Sequence, residues 1–80
     1  MSIPKGQPIK RIDVRGKDCE PFINEIVLTL TQLKAGEFIE VMADKDRITC
    51  MHMLIKNTPR YLMSTEFKEN YVIMKVRKVR

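Results

Sequence analysis

The apolar positions change their period several times along the 80 residues, and each change marks an element. Between Pro8 and Gly16 the segment Ile9–Val14 alternates weakly, which predicts a short strand entering a turn. Beyond it the period lengthens. At about 100° per residue, Phe22, Ile23, Ile26, Val27, Leu30 and Leu33 share an arc of roughly 140°, while Asn24, Glu25, Thr29, Thr31 and Gln32 fall outside it. The spacing predicts an amphipathic helix from about Glu20 to Lys34. Pro21 suits its first turn, where a missing N–H costs nothing, and Gly36 suits its end. Leu28 lands on the polar side and is expected to be exposed.

Phe38–Met42 is rich in β-formers and reads as a second strand, with Ile39 and Val41 on one side. Asp44 or Asp46 then caps a second helix reaching about Lys56, stopped by Asn57 and Pro59, with Ile48, Met51, Leu54 and Ile55 on its apolar arc. Tyr61–Phe67 and Tyr71–Arg77 form a hairpin over Lys68-Glu69-Asn70. Alternation turns Val72, Met74 and Val76 inward and Lys75 and Arg77 outward. The order strand, helix, strand, helix, strand, strand predicts an α+β fold: a two-layer sandwich with both helices on one face of a four-stranded mixed sheet. Residues 1–8 are expected to be a frayed leader, and 9–80 a single domain.

A chain of this length buries only about 60% of its unfolded surface, so a deep cleft around a large cofactor is not expected. No window approaches the roughly 18 apolar residues of a membrane span. The leader lacks an apolar core and a small-residue cleavage site, and two cysteines are too few for the disulfide framework of a small secreted domain. These features point to a soluble protein of a reducing cytoplasm with both thiols free. The net charge of +5 suits an acidic partner, either nucleic acid or an acidic protein face.

The chemistry concentrates in Asp13-Val-Arg-Gly-Lys-Asp-Cys19-Glu-Pro21. Cys19 stands where the extended segment gives way to the helix. There the first-turn N–H groups and the positive end of the helix dipole favour a thiolate, as do Arg15 and Lys17. Asp18 and Glu20 flank the sulfur and act in the opposite sense, and the sequence leaves that balance open. Asp13 is expected to tie down the turn as an acceptor, and Gly16 to supply it.

The same stretch resembles the Asp-x-x-Gly-x-x-Cys-Pro-x-Pro signature of the TusA/SirA-like sulfur-carrier family, with Asp13, Gly16 and Cys19 on its fixed positions. The family's two prolines are replaced by Glu20 and Phe22, and Pro21 lies between them. The resemblance runs from about Ile9 to Val79, and the interval from Cys19 to Gly36 equals the family spacing. It implies the same architecture and a cytoplasmic sulfur carrier, sulfurtransferase-like, that holds sulfane sulfur as a persulfide on Cys19. Asp13, Gly16 and Pro21 would support the motif, and no cofactor is implied. A cysteine desulfurase or rhodanese-like protein would be the donor, and a DsrE-like or thiouridylase-type protein the acceptor, in tRNA thiolation, cofactor supply or sulfur oxidation. Arg15, Lys17, Glu20, Met53, Lys75 and Arg77 are candidate partner contacts. The competing expectation is a non-catalytic module of the same fold that uses its basic surface for RNA or an acidic protein.

Cys50-Met51-His52-Met53 contains soft-metal ligand types. On a helix, however, Cys50 and His52 are about 200° apart and cannot grip one ion, so no metal site is expected. Cys50 reads as a small, partly buried hydrophobe, and Met53, opposite Met51, as exposed. Lys75, Arg77, Lys78 and Arg80 read as a solvated strand edge. Without exposed aromatics among them, a Gly-x-x-Gly loop or zinc spacing, direct nucleic-acid binding is not expected.

Overall fold

The computed structural model of the protein describes residues 7–56 and 59–80. The first six residues of the expected leader and the helix stop at Asn57 lie outside them. Four strands, β1 (Lys10–Asp13), β2 (Phe38–Ala43), β3 (Tyr61–Phe67) and β4 (Val72–Lys78), form one open sheet in the order β1-β2-β4-β3. β1 and β2 are parallel, whereas β4 runs antiparallel to both β2 and β3, so the sheet is mixed. Two helices, α1 (Cys19–Leu30) and α2 (Ile48–Lys56), complete an α+β fold, with a 3-10 turn at Lys45–Arg47 leading into α2. No helix among the described residues is long and apolar enough to cross a membrane.

Strand alternation selects the buried face of the sheet. Ile39, Val41 and Ala43 of β2 stand opposite Val76, Met74 and Val72 of β4, and all six are buried. They join Ile12 of β1, Phe22, Ile26 and Leu30 of α1, and Cys50 and Met51 of α2 in one apolar cluster. Each fully buried large side chain there contributes about 1.5–3 kcal/mol relative to exposure.

The opposite face carries Arg11, Glu40 and Lys75, with Arg11 Nε 3.0 Å from Glu40 Oε1 and Lys75 Nζ 4.0 Å from Glu40 Oε2. Phe38 also belongs to this face. It is nevertheless buried, because the Arg77 guanidinium lies over its ring at 4.8 Å.

The first helix is shorter than its periodicity suggests. α1 ends at Leu30, and the chain then tightens, with Gln32 N–H donating to Thr29 O and Leu33 N–H to Leu30 O. This turn carries Leu33 into the core without extending the helix. The buried arc is also rotated slightly. Thr29 is buried because its hydroxyl donates to Glu25 O, while Val27 is 38% exposed. Leu28, at 68%, is exposed as its position predicts.

Gly36 adopts a φ of 91°, and its N–H donates to Lys78 O at 2.7 Å. This bond and that of Lys78 N–H to Glu37 O carry β4 one residue past the expected Arg77.

Candidate functional site

Parallel pairing of β1 with β2 determines what meets at Cys19. α1 follows β1, and the 3-10 turn and α2 follow β2, so both helical segments start from the same end of the sheet. Val14 N–H donates to Met42 O at 2.9 Å and prolongs the ladder to that end.

Cys19 is the first residue of α1 and is exposed, whereas Cys50, the third residue of α2, is only 4% exposed. A disulfide joins them, with Cα atoms 5.8 Å apart and a sequence separation of 31. The expectation of two free thiols is thereby corrected. Cys50 is buried, but it is the partner of Cys19 and not an idle hydrophobe. Counting cysteines missed the bond because the contact comes from the parallel crossover, not from a dense cysteine framework.

The loop before Cys19 is fastened from both ends. Asp13 Oδ1 accepts from Arg15 N–H at 3.1 Å and Arg15 Nε at 3.0 Å, and Asp13 Oδ2 lies 2.8 Å from Arg15 Nη2. The Arg15 hydrogen bonds hold the Asp13 carboxyl below its ordinary value, and Asp13 in turn raises Arg15. Gly16 takes a φ of 82°, in the left-handed region that favours glycine, and leaves Lys17 N–H to close a turn onto Val14 O. Two residues that follow β2, Asp44 and Arg47 at the 3-10 turn, complete the fastening. Asp44 Oδ2 accepts from Gly16 N–H at 2.8 Å, and Arg47 Nε donates to Lys17 O at 2.9 Å. Arg47 Nη2 also lies 3.4 Å from Asp18 Oδ1.

Asp18 occupies the N-cap position in extended geometry without a side-chain cap bond, and Phe22 N–H donates to Asp18 O. Pro21 falls in the first turn, where it contributes no donor. The N–H groups of Cys19 and Glu20 therefore define the positive end of the helix beside the sulfur.

The candidate cations near this loop are turned toward carboxylates. Arg15 faces Asp13 and lies 5.4 Å from the Tyr71 ring centroid, and Lys17 pairs with Glu25. Glu20 is exposed in the first turn of α1, and Met53 is 66% exposed on α2. Lys75 and Arg77 lie elsewhere, on the uncovered face of the sheet. Arg77 sits opposite Phe38 at the start of β2, the end remote from Cys19, and donates through Nη1 to Gly36 O at 3.0 Å. Reversing its charge would remove a packing contact as well as a charge.

Asp44, Arg47 and Tyr71 escaped the sequence reading of this site. Asp44 bears the acidic residue type expected of a helix cap, but its carboxylate is directed to Gly16, and only the strand pairing reveals the exchange. Among the described residues no group of three or more His, Cys, Asp or Glu side chains is arranged to hold a metal ion. In chemical terms the site is a dithiol–disulfide pair of one exposed and one buried cysteine. In comparisons with known proteins, the chain matches no family model and no curated protein.

Proposed function

We propose that the reduced protein is a small sulfur carrier that holds sulfane sulfur as a persulfide on Cys19. The observation that carries this reading is the exposed position of Cys19 as the first residue of a 12-residue helix, behind a loop fastened by Asp13, Asp44 and Arg47. Its resemblance to the TusA/SirA-like signature at Asp13, Gly16 and Cys19 supports the same chemistry. The Cys19 thiolate attacks the outer sulfur of a donor persulfide. A Cys19 sulfur–sulfur bond forms, the donor's bond breaks, and the donor leaves as a thiolate. Helix-end N–H groups favour the anionic sulfur before and after transfer. A desulfurase or rhodanese-like protein is the proposed donor and a DsrE-like or thiouridylase-type protein the proposed acceptor. The proposed compartment is the cytoplasm, where a disulfide such as Cys19–Cys50 is a transient state of a working thiol pair.

The uncovered sheet face gives less support to an RNA-binding role, since Arg11 and Lys75 share Glu40 and Arg77 is packed on Phe38. The carrier reading is tested with Cys50→Ala protein, in which Cys19 cannot be held in the disulfide. After incubation with glutathione persulfide, intact mass spectrometry and peptide mapping should place one added sulfur on Cys19. In reduced wild type, Cys19 should alkylate faster than Cys50. A Cys50→Ala chain that gains no sulfur, or a Cys19→Ala chain that gains as much, would refute it.

A further inference from the structure

We infer that Cys50 is a resolving cysteine: it attacks the Cys19 persulfide, releases the carried sulfur as hydrosulfide and leaves the Cys19–Cys50 disulfide. The inference rests on the carrier reading and adds to it a second, reductive outcome for the bound sulfur.

The geometry identifies which sulfur is attacked. A persulfide on Cys19 has an inner sulfur, the residue's own Sγ, and an outer sulfur received from the donor. The disulfide places Cys50 Sγ within bonding reach of that inner atom, with the Cα atoms at a separation ordinary for such bonds. Attack at the outer sulfur would merely move the persulfide to Cys50. Attack at the inner sulfur forms the Cys50–Cys19 bond and breaks the bond to the outer sulfur, which departs with the electron pair as hydrosulfide. The Cys50 thiol proton is released as the thiolate forms and is available to the departing sulfur. Two cysteine sulfurs end as a disulfide and one sulfane sulfur ends as sulfide, so the carried sulfur is itself the oxidant.

Burial makes the roles unequal. Cys50 is 4% exposed and sits in the apolar cluster, where a protein-bound persulfide cannot reach it, whereas Cys19 is exposed. Sulfur therefore enters at Cys19, and the departing sulfide leaves on the exposed side of the pair. The cycle closes when an external dithiol reductant of the thioredoxin class reduces the disulfide and is itself oxidised. An acceptor that takes sulfane sulfur must act before Cys50 does; otherwise the product is sulfide.

The experiment follows a single dose of glutathione persulfide, substoichiometric to the reduced full-length chain, with monobromobimane trapping of sulfide and peptide mapping of the disulfide. Wild type should yield sulfide and new Cys19–Cys50 disulfide in equal amounts, and a donor labelled with heavy sulfur should deliver its label to the sulfide. Cys50→Ala and Cys50→Ser should keep the added sulfur on Cys19 and release sulfide at least about tenfold more slowly. Circular dichroism checks their folding. Should both variants unfold, the wild-type ratio and label decide alone. Loading of Cys50→Ala with equal sulfide release in all three chains would overturn the resolving role and leave the carrier intact. Wild-type protein that stays persulfidated without forming the disulfide would overturn it too. Failure of Cys50→Ala to load would instead strike the carrier reading itself.

Discussion

Opening the Cys19–Cys50 bond should loosen the fold by a measurable amount. The disulfide spans 31 residues of sequence, and loop-closure entropy for that length corresponds to about 3–4 kcal/mol of stability at room temperature. A domain of 80 residues has a total stability of about 4–12 kcal/mol, so opening the bond removes a large share of it. Urea unfolding monitored by circular dichroism, with and without a phosphine reductant, measures the difference. With a denaturant slope of about 1–3 kcal/mol per molar, the midpoint should fall by about 1–4 M on reduction. Cys50→Ala protein should respond to the reductant with no shift, which isolates the bond from any solvent effect. If peptide mapping finds the bond intact before reduction and absent after it, yet the two wild-type curves coincide, the loop argument is refuted.

Ile26→Ala and Leu30→Ala should each cost about 2–5 kcal/mol in the same assay, since Ile26 is 0% and Leu30 5% exposed. Leu28→Ala, at 68% exposure, should stay within about 1 kcal/mol, and equal losses at all three positions would contradict the orientation of α1. Asp13 supplies a pH test, because hydrogen bonds from Arg15 lower its carboxyl. A depressed carboxyl contributes stability that is present above its unfolded value and is lost as pH falls through its folded value. The Asp13 fastening is therefore intact at neutral pH and fades only below the ordinary carboxylate range. A carboxyl titration by NMR should show the Asp13 midpoint rising in Arg15→Ala, and an unmoved midpoint would count against the contact.

Much of the fold was legible because burial imposes a period. Phe22, Ile26 and Leu30 repeat at the helical interval, and Ile39 with Val41 and Val72 with Met74 and Val76 repeat at the strand interval. Errors arose where a residue keeps the period but changes its backbone state. Leu33 continues the helical pattern, yet it reaches the core through a tight turn. Thr29 is polar in sequence but satisfied locally, so burial costs it little. Phe38 falls on the outward register, and its cross-strand neighbour Arg77 covers its ring.

The candidate site divides in the same way. Asp13, Gly16 and Cys19 are neighbours in sequence and could be read together. Asp44, Arg47 and Cys50 reach Gly16, Lys17 and Cys19 across separations of 28, 30 and 31 residues, through a strand pairing that no local pattern encodes.

The strand order also governs how the chain can fold as it is synthesised. β4 is the last strand to emerge, yet it lies between β2 and β3 and pairs with both. Until it is translated, the parallel β1–β2 pair is the only part of the sheet whose strands both exist, and β3 has no neighbour to dock on. Lys78 then closes the Gly36 turn, whose residues left the ribosome some forty positions earlier. The nascent chain must therefore hold an unpaired β2 edge and exposed apolar faces until its final strand arrives, which makes that interval the one in which a chaperone is most useful.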